Sequence, residues 1–214
     1  MLRYVSMIWL WMLPAIGLQS QQNISQNPPN GPFSLDELQR RNFMFFWDLA
    51  HPTTYQIPDR YPRNDFSSIA ATGFGLSSYL VGAERGWITR LQAAERVLKT
   101  LQVLKNLPQG SQPTGVAGYK GWFYHFLDTQ KALRYDKVEL SSIDTGLLMA
   151  GVLSCMSYFD HDDPTEKAIR ETADFLFRRV EFDWYLNEHH RMSMGWFPEK
   201  GFLAADWRGY NEAM

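Results

Sequence analysis

The stretch "KVELSSIDTGLLMAGVLSCMSYF", residues 137–159, combines a polar beginning with a long uncharged remainder. Two carboxylates and two hydroxyls come first, on Glu139, Ser141, Ser142 and Asp144, and the next fifteen residues carry no charge. A helix that lacks a charged face is buried on every side. The stretch therefore predicts an interior helix whose polar first turn lies at the mouth of a cavity.

Helices of two kinds alternate along the chain. A second uncharged span, "SSIAATGFGLSSYLVGA", predicts a helix near residues 67–83. Three further predicted helices, near residues 34–50, 89–107 and 164–180, each have an apolar stripe and a charged face. This order is typical of a double-layered helical toroid, in which outer helices surround an inner ring. A plain up-and-down bundle would give every helix a stripe.

The two uncharged spans also begin alike. "FSSIA" starts at Phe66, "LSSID" starts at Leu140, and "GYNEAM", residues 209–214, stands about the same interval further on. Repeats of one helical unit bury their faces only when several copies stack. The interval predicts a third inner helix at residues 209–214 and a chain that covers about half of a closed ring. An open half ring would expose uncharged helix faces, which predicts poor solubility or self-association.

The first twenty residues, "MLRYVSMIWLWMLPAIGLQS", have the pattern of a signal peptide. One positive charge, at Arg3, precedes an apolar run that ends in small residues. The run is short for a membrane span, which needs roughly 20 apolar residues, although an uncleaved anchor is the alternative. Residues 21–33 are polar and rich in proline, as in a linker, and residues 34–214 form the predicted domain. We expect export to the periplasm or the medium, with no membrane contact after cleavage.

Composition excludes several classes of partner. The net charge is −2 and the isoelectric point about 6.2, so we expect no nucleic-acid partner. The sequence has no Cys/His metal spacing and no glycine-rich phosphate loop, so we expect neither a metal nor another cofactor. Cys155 is the only cysteine, which indicates a buried thiol and no intramolecular disulfide.

The loops that precede the uncharged helices carry most of the candidate chemistry. Asp59 and Arg60 lie in the first loop, and Tyr210 lies in the third, among charged and aromatic neighbours. In a toroid these loops emerge on one rim and converge on one cavity. Aromatic rings stack on the apolar faces of sugars while charged side chains bind the hydroxyls, so a carbohydrate site is the leading interpretation. Packing of the rings within the rim is the alternative.

Paired carboxylates supply the acid and the base of glycosidic cleavage. Asp144, in the first helical turn, is favoured as a charged group by the helix dipole, which suits a base or a ligand for sugar hydroxyls. Glu139, just outside the helix among aromatic residues, could have the raised pKa of a general acid. The alternative for Asp144 is a structural cap, because Ser141 and Asp144 have S-x-x-D spacing.

Four separated blocks are similar to one known family. "FSSIAATGFGLSSYLVGAERGWITRLQAAERVLKTL", "GYKGWFYHFLD", "VELSSIDTGLLMAGVL" and "MGWFPEKGFLAADWRGYNEAM" together resemble the bacterial glucoamylase-like family. That family includes endo-β-1,2-glucanases and resembles a domain of the cyclic β-1,2-glucan synthases. The resemblance runs from about Leu35 to the last residue and implies an all-α fold, an (α/α)6 toroid of which the chain holds roughly the N-terminal half.

The resemblance also implies a function and a site. The function is hydrolysis of a β-glucan, with β-1,2-glucan favoured. The acidic positions of the family's cleft fall at Glu139, Asp144 and Glu212. The implied sugar contacts are Trp122, Tyr124, His125, Trp196 and Trp207. Two other interpretations remain open: a carbohydrate-binding or scaffold protein that does not turn over its ligand, and a helical protein whose loops bind another protein.

Overall fold

Five α-helices form the framework of the part of the chain that the computed structural model describes, residues 34–209. The chain divides into two units between Ser34 and Leu35, and the second unit is considered below. The helices are α1 (Leu35–Leu49), α2 (Ile69–Glu84), α3 (Arg90–Asn106), α4 (Ser142–Tyr158) and α5 (Pro164–Arg178). Each lies where the sequence predicts a helix. The predicted signal peptide, linker and third inner helix lie outside the described residues, apart from Gly209.

Side chains fix the helix starts. The hydroxyl of Ser68 accepts a hydrogen bond from the N–H of Ala71 at the start of α2, and Thr89 forms a reciprocal capping box with Gln92 at the start of α3. Asp163 caps α5, whose first residue is Pro164. These short-range signals are in the sequence itself, which is why the helix bounds are predictable.

The two uncharged helices pack directly against each other. A Cβ placed on Gly151 of α4 would lie 2.2 Å from the carbonyl oxygen of Gly73 of α2, so the two backbones are in contact. The charged helices α1 and α3 pack against α2, and α5 packs against α4 and α3. This order, an inner pair backed by an outer layer, is consistent with part of a helical toroid.

One face of each uncharged helix is exposed, as the sequence analysis predicts for an open half ring, so these helices are not buried on every side. On α2, Phe74 is 52% exposed and Val81 is 49% exposed. On α4, the corresponding exposed positions are Gly146, Ala150 and Ser154. The charged helices pack against other faces of α2 and α4 and leave these positions exposed.

Short strands, which the sequence does not predict, join the loops at one end of the helices. Strand β1 (Phe66–Ser68) pairs antiparallel with β4 (Phe126–Asp128), and β2 (Gly118–Tyr119) pairs with β3 (Trp122–Phe123). A three-stranded sheet contains β5 (Leu140–Ser141), β6 (Gly195–Phe197) and β7 (Gly201–Phe202). A 3₁₀ helix spans Phe182–Tyr185. We call this end, where β1 leads into α2 and β5 leads into α4, the rim.

Among residues 34–209, no helix is both long enough and apolar enough to cross a bilayer.

Candidate active site

A histidine lies between two carboxylates at the rim. Nδ1 of His125 is 2.9 Å from Oε1 of Glu139, and Nε2 of the same ring is 3.7 Å from Oδ2 of Asp144. The ring also stacks on Phe126, with centroids 3.9 Å apart. The structure therefore brings together three of the residues that the sequence analysis nominates.

Backbone hydrogen bonds hold His125 in this place. Its N–H donates to the carbonyl of Glu139 at 2.9 Å, and its carbonyl accepts from the N–H of Ile69 at 3.2 Å. Ile69 is the first residue of α2. His125 therefore links the start of one inner helix to the segment that leads into the other.

Glu139 is held from two further directions. A Cβ on Gly195 would lie 2.8 Å from Cγ of Glu139, so a larger residue at this position of β6 would displace the Glu139 side chain. The guanidinium of Arg134, whose side chain is 1% exposed, donates to the carbonyl of Val138 at 2.8 Å and to Glu199 at 2.7 Å. Gly195 and Arg134 are therefore supporting residues. Sequence reasoning missed both, because the contacts of Gly195 with Glu139 and of Arg134 with Glu199 join distant parts of the chain.

The charges of the site are coupled. Burial lowers the pKa of His125, but the hydrogen bond with Glu139 and the charges of Asp144, Glu139 and Asp59 raise it by more, so that it lies above its ordinary value. The same hydrogen bond with His125 holds the pKa of Glu139 below its ordinary value, although burial opposes this. The sequence suggests a raised pKa for Glu139, but the neighbouring imidazole lowers it.

Asp144 has the structural role that the sequence analysis left open, and it also faces the site. Its backbone N–H donates to Oγ of Ser141 at 3.2 Å, and the Ser141 hydroxyl donates in turn to the Asp144 carboxylate. This arrangement caps α4. The same carboxylate lies beside His125, so Asp144 both starts the helix and contributes charge to the rim.

Asp59 and Arg60 lie on the loop that enters β1. Arg60 forms an ion pair with Asp59 at 2.6 Å, and its guanidinium lies 5.6 Å from the ring centroid of Phe66. The charge of Asp59 adds to those of Asp144 and Glu139 in raising the pKa of His125. Asp59 is therefore part of the same electrostatic group, while the side chain of Arg60 is mostly exposed.

Two of the predicted sugar contacts are packed inside the protein. Trp122 is 1% exposed, and its indole N–H donates to the carbonyl of Glu181 at 3.1 Å. Tyr124 is fully buried beneath the guanidinium of Arg134, which lies 4.6 Å from its ring centroid. Neither ring faces solvent in this structure, because both are part of the hydrophobic core.

The other two tryptophans are half-buried. Trp196 packs against Tyr119 and Trp184 in an aromatic cluster, with centroids 5.4 Å apart in each case. Trp207 donates from its indole N–H to the hydroxyl of Ser142 at 2.8 Å. It thereby lines a small apolar cavity of about 160 Å³ beside the first two turns of α4. Trp207 is the better placed of the two to meet a ligand at the rim. Tyr210 and Glu212 lie outside the described residues.

One group with metal-ligand chemistry lies away from the rim, at the start of α5. His161, Asp163 and Glu166 each have a ligand atom within 4.8 Å of the others. Glu166 is already engaged by Arg90, at 2.7 Å and 2.9 Å, and Asp163 accepts from the helix N–H groups. These bonds give the group a structural role.

Comparison with known proteins confirms the resemblance to the glucoamylase-like glycoside hydrolases of bacteria, of which the chain covers a part. No family model matches the chain. Among curated proteins it is similar to the exo β-1,2-glucooligosaccharide sophorohydrolase (non-reducing end) of Parabacteroides distasonis, with 29% identity over 189 residues. The match takes in 84% of this chain and 25% of that protein, so the chain spans about a quarter of its length.

Two solved structures have the same arrangement over most of this chain. The endo-β-1,2-glucanase from Chitinophaga pinensis, in complex with sophorotriose and glucose, is 26% identical with a TM-score of 0.72, over 84% of this chain and 44% of that one. The β-1,2-glucanase from Parabacteroides distasonis is 27% identical with a TM-score of 0.69, over 79% of this chain and 25% of that one.

Proposed function

We propose that the chain provides one side of the catalytic cleft of a glycoside hydrolase that acts on β-1,2-glucan. The observation that carries the proposal is the His125–Glu139–Asp144 group at the rim. Similarity to β-1,2-glucan hydrolases supports the choice of substrate. The fold we propose for the whole catalytic unit is the (α/α)6 toroid, of which the five helices described here would be the N-terminal half.

The coupled charges suggest roles for the carboxylates. With its pKa held low by His125, Glu139 is ionised at neutral pH and is suited to accept a proton or a sugar hydroxyl. Asp144 is suited to bind hydroxyls at the entrance of the cleft. The proton donor for the leaving oxygen is then a third group, and we propose Glu212 for this role. Asp59, Trp207 and Tyr210 would contact the sugar.

Hydrolysis is tested by incubating the chain with linear β-1,2-glucan and looking for shortened oligosaccharides. The same assay is run with a longer chain that carries the C-terminal region found in the solved relatives. Activity that falls by about 10²–10⁴ in Glu139→Gln, with unchanged helicity, is the expected result for a proton-transfer residue. Glucan that is bound but never shortened by either chain would instead support a carbohydrate-binding or scaffold protein.

The proposal includes export and self-association. The signal-like residues 1–20 support export to the periplasm or the medium, and cell fractionation tests it. The exposed side chains of Phe74 and Val81 support pairing of two copies through the uncharged helix faces. Light scattering should then show dimers that Phe74→Asp dissociates, while Leu91→Asp, on an outer helix where Leu91 is 63% exposed, leaves them intact. A monomeric wild-type chain would refute the pairing.

A further inference from the structure

A groove runs along the exposed face of α3, mainly polar at one end and mainly apolar at the other. It consists of two adjoining cavities of about 340 Å³ each, which share Tyr55 and Lys99. We call it the α3 groove and define it by Tyr55, Glu95, Lys99, Gln102 and Asn106. Each cavity is within the range of small-molecule sites, roughly 300–1,000 Å³.

The spacing of the helical residues makes the groove continuous. Positions 95, 99, 102 and 106 are three or four residues apart, so they share one face of α3. Within residues 34–209, the side chains of Glu95, Lys99, Gln102 and Asn106 form no hydrogen bond or ion pair with the protein. Two amides, one acid and one base are therefore presented to a ligand in a row.

Tyr55 places an aromatic ring where the two cavities meet. Its φ of 55° lies in the left-handed region, which costs a residue with a Cβ about 1 kcal/mol or more. Two backbone hydrogen bonds stabilise the turn around it. The N–H of Tyr55 donates to the carbonyl of His51 at 2.9 Å, and the N–H of His51 donates to the carbonyl of Gln56 at 2.9 Å. The fold therefore maintains a strained backbone at Tyr55, the residue that lines both cavities.

The floor of the groove is rigid. The guanidinium of Arg96 donates to the carbonyl of Trp47 at 3.0 Å and lies 4.2 Å from the centroid of the Trp47 ring. This contact joins the end of α1 to the middle of α3. A ligand in the groove would meet a surface that is already ordered, which lowers the entropic cost of binding.

The chemistry of the groove selects a neutral ligand that is rich in hydroxyls. Acidic Asp48 and Glu95 are balanced by basic Arg96 and Lys99, so the groove has no net attraction for an anion. Amides and charged groups both donate to and accept from hydroxyls, and a tyrosine ring can cover the apolar face of a sugar. These features complement an oligosaccharide.

We infer that the α3 groove is a second, non-catalytic binding site for a neutral oligosaccharide. The choice of a β-1,2-linked sugar rests on the proposed function. Tyr55 and Asp59 belong to the same loop, so a glucan chain held in the groove would be delivered toward the rim. The groove would thus raise the local concentration of polymer beside the cleft without taking part in cleavage.

The test uses the 214-residue chain with Glu139→Gln, which weakens the rim, and sophorotriose and cellotriose as probes. Addition of sophorotriose should shift the backbone amide resonances of residues 92–106. Tyr55→Asn removes the ring but tolerates the left-handed backbone, and it should weaken this binding about tenfold, the factor that corresponds to 1.4 kcal/mol. Tyr55→Phe keeps the ring and should bind within about threefold of its parent.

Two outcomes would overturn the inference. One is that Tyr55→Asn binds sophorotriose as tightly as its parent. The other is that neither probe shifts the amides of residues 92–106. Turnover of linear β-1,2-glucan by the chain with an intact rim is measured separately. If turnover is absent while the groove amides still shift, the proposed function fails and the groove site stands. If turnover is present while the groove amides do not shift, the groove site fails and the proposed function stands.

Discussion

Nδ1 of His125 lies 2.9 Å from Oε1 of Glu139, although the two residues are 14 positions apart in the chain. Their backbones are joined as well, because the N–H of His125 donates to the carbonyl of Glu139. The imidazole and the carboxylate are thus fixed relative to each other by two independent hydrogen bonds. Several measurable properties of the rim depend on this pair.

Loss of the Glu139 charge should lower the pKa of His125. Glu139→Gln removes the charge that helps to raise this pKa and leaves at most a neutral hydrogen bond, while the burial that lowers it remains. Nuclear magnetic resonance titration of the His125 ring protons measures the change without requiring activity. Glu188→Gln is the control, since Glu188 is 87% exposed and lies beside His189. An unchanged His125 titration in Glu139→Gln would contradict the pairing.

The pair should also make stability depend on pH. His125 has a raised pKa, so its contribution is complete below its ordinary value of 6.5 and is lost as the pH rises through the folded-state value. Glu139 has a lowered pKa, so its contribution is complete above 4.5 and is lost as the pH falls through the folded-state value. The difference in Tm between wild type and His125→Gln should be largest between these limits and shrink at alkaline pH. A difference that stays constant from pH 5 to pH 9 would show that the ring only packs.

Gly151→Ala should destabilise the contact between the two inner helices. The added methyl would lie 2.2 Å from the carbonyl oxygen of Gly73, where backbone cannot yield easily. We expect a loss of about 2 kcal/mol in the free energy of unfolding, which urea denaturation measures. Gly146→Ala on the same helix is the control, because nothing lies within 4 Å of its Cβ and it should gain about 0.5–1 kcal/mol. Equal effects of the two changes would refute the close approach of the helices.

Glu166→Gln should be more damaging than an ordinary surface change. The Glu166 side chain is 5% exposed, and it accepts two hydrogen bonds from Arg90 and one from the N–H of His161. Removing its charge leaves the partly buried guanidinium with only the exposed carboxylate of Asp160, 3.3 Å away, as a counter-ion, at a cost of about 2 kcal/mol. Glu171→Gln, whose carboxylate is 67% exposed on the same helix, should change the free energy of unfolding by less than about 0.5 kcal/mol. Chemical denaturation of the two variants side by side makes the comparison.

Cys155 should resist alkylation in the folded protein. Its side chain is fully buried, and burial raises the pKa of the thiol far above its ordinary value, so little thiolate forms. Iodoacetamide labelling followed by mass spectrometry should show modification only after denaturant is added. Rapid labelling under native conditions would mean that α4 opens away from α2, where Sγ lies 3.7 Å from the carbonyl of Leu76.

The helices and their layers follow from local sequence. Uncharged α2 and α4 are distinguished from striped α3 and α5 by composition alone, and residues such as Ser68, Thr89 and Asp163 mark where helices begin. The rim strands could not be predicted in this way. They are two or three residues long and form only because distant segments pair, so no periodic pattern in the sequence indicates them.

The carboxylates of the site could be predicted from the sequence, but the direction of the Glu139 pKa shift could not. Glu139 and Asp144 are conspicuous at the start of an uncharged span. The direction of the Glu139 pKa depends on His125, which only the folded rim brings near. The burial of Trp122 and Tyr124 was not predictable either, because the consecutive residues Trp122, Phe123 and Tyr124 are all buried and no alternation marks them as core.

The pairing of the rim strands has a consequence for how such proteins can be altered. Strand β1, which leads into α2, pairs with β4 from the following loop; Leu140 of β5 then bridges to Tyr124, and β5 in turn pairs with β6. Each loop thus pairs with the loop that follows it. A single loop therefore cannot be exchanged for the corresponding loop of a relative unless the strand that pairs with it is exchanged as well. Modular transplantation in this architecture should succeed only in units of two consecutive loops.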